Sequence, residues 1–489
     1  MSDMVWVTAL MQIYKKLENI NSKLVRAAFN FPLGRHSLNL ENRSSASLDL
    51  DISEYQNSKL IEKELRLGNC VSGYVPYFPG QTAIYIYNFF ARNYAIRQPI
   101  LCRTAIFDIN NKKHFERILV LEPNATILID DLPEIAQGTV VSVQLISQKI
   151  RYNHGRYFGH LRFWGVYGDW AGVSHSMPTQ GVFYLNKTNL VGKRRNYPIQ
   201  SSGFTKNSIH YTALGYRKNF HTDGFGFKNA PLPLGFSSLK KLHDDQIVGV
   251  WHDGAFYSTK SNPIFCNQLV PLPPGDGISP ILFFSEALLK GTHINIFLFN
   301  EHNALLDTLC VKEVDHSSEV DLEELFPDTL RQATFALLEI PSFMDAAASY
   351  VNILYKYGSD LCDSIHSQPC APFDAEKGLF SSRKLKRSNA LKFAPIPNYD
   401  SKKDFYWYVN NQTSGVVYKM RFVDDCQNEF VHVVRLSEPS IRRFDLKDFD
   451  VPFTPSLIQI ESSDENVAAS FFIIDHSKKT IAVDHFTGG

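Results

Sequence analysis

No stretch of this 489-residue sequence approaches the roughly 18 uninterrupted apolar residues that a membrane-spanning helix needs. Its start also has no basic segment leading into an apolar run and a small-residue cleavage site, so a soluble, unprocessed chain is expected. Cysteine is sparse: Cys70, Cys102, Cys266, Cys310, Cys362, Cys370 and Cys426 are odd in number and form no C-x-x-C pair. That argues against a disulfide framework and a zinc ribbon, and for a reducing, cytoplasmic setting. Neither sign of charge is in excess, since 50 Lys+Arg balance 50 Asp+Glu. No global field therefore draws the chain to nucleic acid or to an anionic membrane, and neither partner is expected. Familiar catalytic signatures are missing as well. No G-x-S-x-G elbow or H-E-x-x-H pair occurs, and "GFGF" (Gly224–Phe227) lacks the third glycine of a dinucleotide loop.

What the sequence does hold is aromatic residues: 36 Phe, 22 Tyr and 5 Trp, a composition that favours strands. The length allows about three domains, each burying a core of its own. From Trp6 the apolar residues Leu10, Ile13, Leu17, Ile20, Leu24 and Ala27 fall at steps of four and three. That spacing predicts an amphipathic helix over residues 1–30, packed on its own chain or pairing copies into a homo-oligomer. Residues 31–66 are polar and weakly patterned, as a linker is.

The rest is repetitive, with four landmarks recurring in order. A proline (Pro79, Pro274, Pro397) enters an aromatic strand; a second strand ends in an acid or amide (Asp108, Asn300, Asp424). An apolar-Asp-Leu step follows (Asp131, Asp321, Asp445), and a histidine closes the unit (His175, His366, His485). Proline to turn is 29, 26 and 27 residues, turn to Asp-Leu is 23, 21 and 21, and Asp-Leu to histidine is 44, 45 and 40. Within each copy short segments alternate with period two and turns come at short intervals, the signal of an antiparallel sandwich. The sequence thus predicts an all-β chain of three tandem β-sandwich repeats at 67–181, 259–372 and 391–489. An aromatic, basic insert occupies 182–258, its glycines and prolines arguing against a long regular element, and a basic linker occupies 373–390.

The third copy carries "FVDDCQNEFVHVVRL" (Phe422–Leu436), "RRFDLKDF", "PSLIQIESS" (Pro455–Ser463) and "KTIAVDHFTGG". This order resembles the sensory rhodopsin transducer family, whose sandwich also places an apolar-x-Asp-Leu step before a strand ending in Ser and closes on a valine-rich strand with His. The resemblance implies the sandwich fold. It also implies a binding and assembly unit similar to carbohydrate-binding modules rather than a catalyst. Triplication, the leading helix and the insert depart from that family, so a photosensory role does not carry over.

The stretch "RYFGHLRFWGVYGDW" is the strongest ligand-binding candidate. Trp164, Tyr167 and Trp170 among glycines suit a stacking platform for a glycan, with His160, Arg162, Asp169 and His175 as polar partners. In a strand half of these rings would be core instead. The recurring His175, His366 and His485 read as metal ligands or general bases, or as copied strand-end imidazoles, and the plainer reading fits a triplicated unit better. His154, His160, His175, His210 and His221 cluster in sequence without ligand spacing, so a divalent transition metal would have to be gathered in three dimensions. The leading expectation is a non-enzymatic, cofactor-free binding or assembly protein, its ligand a glycan or sugar conjugate. A metal-dependent enzyme between the first repeat and the insert, and a purely structural oligomer, are the alternatives.

Overall fold

The structure is a computed structural model that describes residues 70 to 488 apart from several stretches, the longest being 147–162, 179–208, 215–235 and 255–266. The predicted N-terminal helix and the linker of 31–66 lie outside the described residues. The described chain is mostly β-strand in antiparallel sheets with almost no helix, in keeping with an all-β fold.

Nine strands cover the first copy: β1 (Cys70–Pro76), β2 (Thr82–Tyr87), β3 (Ile100–Phe107), β4 (Lys113–Leu121), β5 (Thr126–Ile129), β6 (Val140–Ile146), β7 (Phe163–Tyr167), β8 (Gly172–His175) and β9 (Met177–Pro178). They form a five-stranded sheet β4-β3-β6-β1-β9 and a four-stranded sheet β5-β2-β7-β8. In the insert, β10 (Ile209–Leu214), β11 (Phe236–His243) and β12 (Gln246–Gly254) form a three-stranded sheet. The expectation of no long element there fails because Pro231, Pro233 and Gly235 all precede β11, leaving the next twenty or so residues free of proline.

The second copy contributes β13 (Asn267–Pro271), β14 (Ile278–Phe284), β15 (Thr292–Phe299), β16 (Leu305–Val314), β17 (Glu319–Asp321), β18 (Phe335–Glu339), β19 (Val351–Tyr357), β20 (Asp360–His366) and β21 (Gln368–Pro369). A short hairpin, β22 (Phe373–Asp374) and β23 (Leu379–Phe380), follows within the predicted linker. The third copy contributes β24 (Arg387–Pro395), β25 (Lys403–Asn411), β26 (Val416–Val423), β27 (Glu429–Leu436), β28 (Ser440–Asp445), β29 (Leu457–Asp464), β30 (Ala468–Asp475), β31 (Thr480–His485) and β32 (Thr487–Gly488). Their orders, β16-β15-β18-β13-β21 with β17-β14-β19-β20, and β27-β26-β29-β24-β32 with β28-β25-β30-β31, repeat the first copy strand for strand.

The sequence landmarks have local causes. Asn300 and Asp424 close equivalent hairpin turns: the Asn300 side chain accepts from the His302 and Ala304 amides, and that of Asp424 from the Asn428 amide at 2.7 Å. Asp321 caps a single helical turn, α1 (Leu322–Leu325), by accepting from the Glu323 amide at 2.9 Å; Asp445 does the same with the Lys447 amide at 2.9 Å. Asp131 makes no such cap. It is exposed and paired with Arg117.

Packing departs from one core per copy. Within the four-stranded sheets, β2, β25, β30 and β31 are buried on both faces. Only one face is needed against the partner sheet of the same copy. The other carries Tyr85, Tyr87 and Trp164 in copy one; the Trp164 and Tyr87 ring centroids lie 5.5 and 5.0 Å from that of Phe393 of β24. Tyr85 donates to the carbonyl of Ser456 at 2.8 Å, and Gln459 donates to the Tyr87 hydroxyl at 2.7 Å. At the equivalent position of copy three, Tyr408 donates to the carbonyl of Leu272 in copy two. One apolar cluster therefore joins copies one and three, and a second joins copies two and three. Phe393→Ala should cost about 3–5 kcal/mol of unfolding free energy in urea titration, the loss of a fully buried ring at a contact between copies.

Candidate functional site at the repeat junction

The three closing strands β8, β20 and β31 meet, and β12 of the insert runs beside them. Two acids without solvent exposure occupy this junction, Asp363 on β20 and Asp484 on β31. Oδ2 of Asp363 accepts from the Val173 amide at 2.9 Å and from the Val483 amide at 3.0 Å, one from each other copy. Asp484 accepts from the His175 amide, from His175 Nδ1 at 2.7 Å and from the His485 amide at 2.6 Å. Burying a carboxylate is costly unless its oxygens are satisfied, and amides of neighbouring strands satisfy these.

The histidines at equivalent positions have opposite roles. A carboxylate can only accept, so His175 carries a proton on Nδ1. Gln368 places its amide nitrogen 2.5 Å from His485 Nδ1 and donates from the same nitrogen to the Ala469 carbonyl at 3.0 Å, so Nδ1 of His485 is the acceptor. The two rings lie 6.0 Å apart by centroid. His366 pairs with Asn352 in the β19–β20 register. The adjacent serines bond the backbone: Ser176 Oγ accepts from the Phe163 amide at 3.2 Å and Ser367 Oγ from the Val351 amide at 2.9 Å.

The aromatic candidates sit just above this junction, inside the protein. Trp164 and Tyr167 are fully buried and Trp170 is 9 % exposed. A stacking platform needs an open ring face, and none of the three offers one at the surface. The alternation of β7 against the neighbouring copy is the reason, since its outward positions are as buried as its inward ones. Gly165 is required here because a Cβ would collide with the Tyr167 phenol. Burial pushes that phenol's pKa far up, and nearby Asp363 and Asp484 push the same way.

The β7–β8 turn is "YGDWAG", with Gly168, Asp169 and Trp170 at φ of 54°, 55° and 66°. Two successive non-glycine residues in the left-handed region need compensation. It comes from copy three: Lys403 Nζ donates to the Asp169 carbonyl at 3.3 Å and to its carboxylate at 3.2 Å, and Lys478 donates to the carboxylate at 2.6 Å. Asp169 is thus a clamp between copies.

Among the metal candidates, His154, His160 and His221 lie outside the described residues, as does Arg162. His210 falls on β10, whose side chains are not described, and His175 is committed to Asp484. Among the described residues, no group of three or more His, Cys, Asp and Glu could hold a metal ion. The sequence reading passed over Asp363. Its signal was available, an acid in the middle of the strand "DLCDSIH", where alternation alone does not explain it. The chain matches no family model and no curated protein.

Two outcomes follow from this geometry. Asp484→Ala strands three buried donors and should lower stability by about 3 kcal/mol or more in chemical denaturation. Burial acts to raise the Asp169 pKa, but the hydrogen bonds from Lys478 and Lys403 outweigh it and hold the carboxyl below its ordinary range. A depressed folded value means stability present above the unfolded pKa of about 3.9 and lost as pH falls through the folded one. Asp169→Asn should therefore be less stable than the parent at pH 7, with the gap closing at pH 2–3 in thermal unfolding followed across pH.

Proposed function

We propose that the chain is a non-enzymatic binding and assembly protein made of three tandem β-sandwiches, each a five-stranded and a four-stranded sheet. Its likeness to the sensory rhodopsin transducer type of sandwich, carried by the motifs of the third copy, agrees with that reading. The observation that carries it is the use of the most buried acids. Asp363 and Asp484 direct their oxygens at backbone amides and at an imidazole of neighbouring copies. A general base or a metal ligand must keep a lone pair for the reacting group, whereas these spend theirs on holding strands together. The recurrence of the closing histidine then reflects copying of a structural position, with Nδ1 a donor in copy one and an acceptor in copy three. The ligand we assign to the assembled surface is a glycan or sugar conjugate, in line with the relation of such sandwiches to carbohydrate-binding modules and with a chain of zero net charge.

The test is a thermal-shift screen of the full-length protein against neutral and acidic mono- and disaccharides. A saturable rise in melting temperature with at least one sugar, and no turnover of that sugar, is the expected result. Hydrolysis or isomerisation of a bound sugar would replace the binding reading by an enzymatic one.

A further inference from the structure

A cleft of about 510 Å³ opens at one end of the second copy. Its walls are the β13–β14 loop, the β15–β16 turn and the segment before β18, with Arg443 of β28 reaching in from the third copy. Asp363 does not line the cleft: Ile278, which does, is on β14 and pairs with Tyr357, whereas Asp363 is on β20, on the far side of β19, between Leu361 opposite Lys356 and Ser364 opposite Leu354. The two sites are therefore separate.

Comparison between copies explains the opening. β1 and β13 both end in proline, Pro76 and Pro271, so Tyr77 and Leu272 are equivalent. In copy one Tyr77 is buried and closes this corner, donating to the Pro133 carbonyl and accepting from the Ile135 amide at 2.9 Å. In copy two Leu272 has no hydroxyl to make that bridge, and it lines the cleft. A corner plugged in one copy has become a concavity in another, of a volume suited to a small ligand.

The lining specifies the ligand. Arg331 and Arg443 face the same space as Asp276, Glu301 and Gln332, while Glu323 is held by Lys356 at 3.0 Å. No Phe, Tyr or Trp lines the cleft, and its one ring, the His302 imidazole, lies 3.6 Å from the Glu301 carboxylate, so the broad stacking face on which tight recognition of a neutral sugar depends is absent. Guanidinium forks match a carboxylate, and the acids and amide take hydroxyl donors. Resting on the sugar-binding reading above, we propose that this cleft binds a sugar acid, a uronic-type saccharide, with the carboxylate on the two arginines. Arg443 makes the site a joint product of two copies.

Titration calorimetry of D-glucuronate, D-glucose and acetate into the full-length protein tests this. Glucuronate should bind saturably and the other two at least about tenfold more weakly, since each lacks half of the recognised groups. Arg443→Ala and, independently, Arg331→Ala should weaken glucuronate by about tenfold, and Leu272→Tyr, which restores the plug of copy one, should abolish its binding. Should one variant fail to fold by circular dichroism, the others still decide. Equal binding of glucuronate and glucose, or glucuronate binding untouched by the folded variants, overturns the proposal. Acetate binding as tightly as glucuronate would reduce the cleft to an unselective anion site and overturn it too. Glucose binding without glucuronate sinks the cleft but leaves the wider sugar-binding reading standing; if neither sugar binds, both fall for these sugars.

Discussion

The carboxyl groups of Asp363 and Asp484 are sealed from water, and amides of neighbouring copies point at them. The need for a partner runs in both directions. β8 and β31 are strands whose outward amides would otherwise be buried without acceptors, and the acids supply those acceptors. Docking of the copies and burial of the acids are therefore a single event. The same holds, more weakly, at the rim, where the left-handed turn at Asp169 is held by Lys403 and Lys478 of another copy.

Copies that share a fold have diverged where they meet other surfaces. In copy one Arg103 lies opposite Gln144, donates to it at 2.9 Å and pairs with Glu116 at 3.0 Å. Two residues along the same strand face, where copy one has Ala105 opposite Ser142, copy three has Arg421 opposite Gln459, with Arg421 paired to Glu429 and Gln459 turned to Tyr87 of copy one. Copy two has Phe297 opposite Leu337 in the same register, and its apolar face is covered by the hairpin of β22 and β23, Phe373 lying 5.6 Å from Phe297 by centroid. One position on one scaffold thus changes from ionic to apolar according to what lies on it. The cleft beside Leu272 is a further case, created where copy one keeps a tyrosine.

Much of the architecture was legible because its causes are local. Asn300 and Asp424 mark turns through their own side-chain bonds, and Asp321 and Asp445 mark caps, so their spacing survives copying. The alternation that identifies strands in "TAIYIY" is local too. What lies between copies left no periodic trace. Trp164 looks like part of an exposed platform until Phe393, more than two hundred residues away, is placed against it. Asp484 and His175 are 309 residues apart and meet only in the folded chain. The cleft was invisible for the same reason, since Arg443 and Arg331 come from different copies.

If the copies are welded by shared cores and shared buried acids, they cannot unfold one at a time. Differential scanning calorimetry of the full-length protein measures this directly. A single transition, with the calorimetric enthalpy equal to the van't Hoff enthalpy, is the predicted result. Successive transitions, each with the enthalpy of about one hundred residues, would contradict it and return the copies to independent domains.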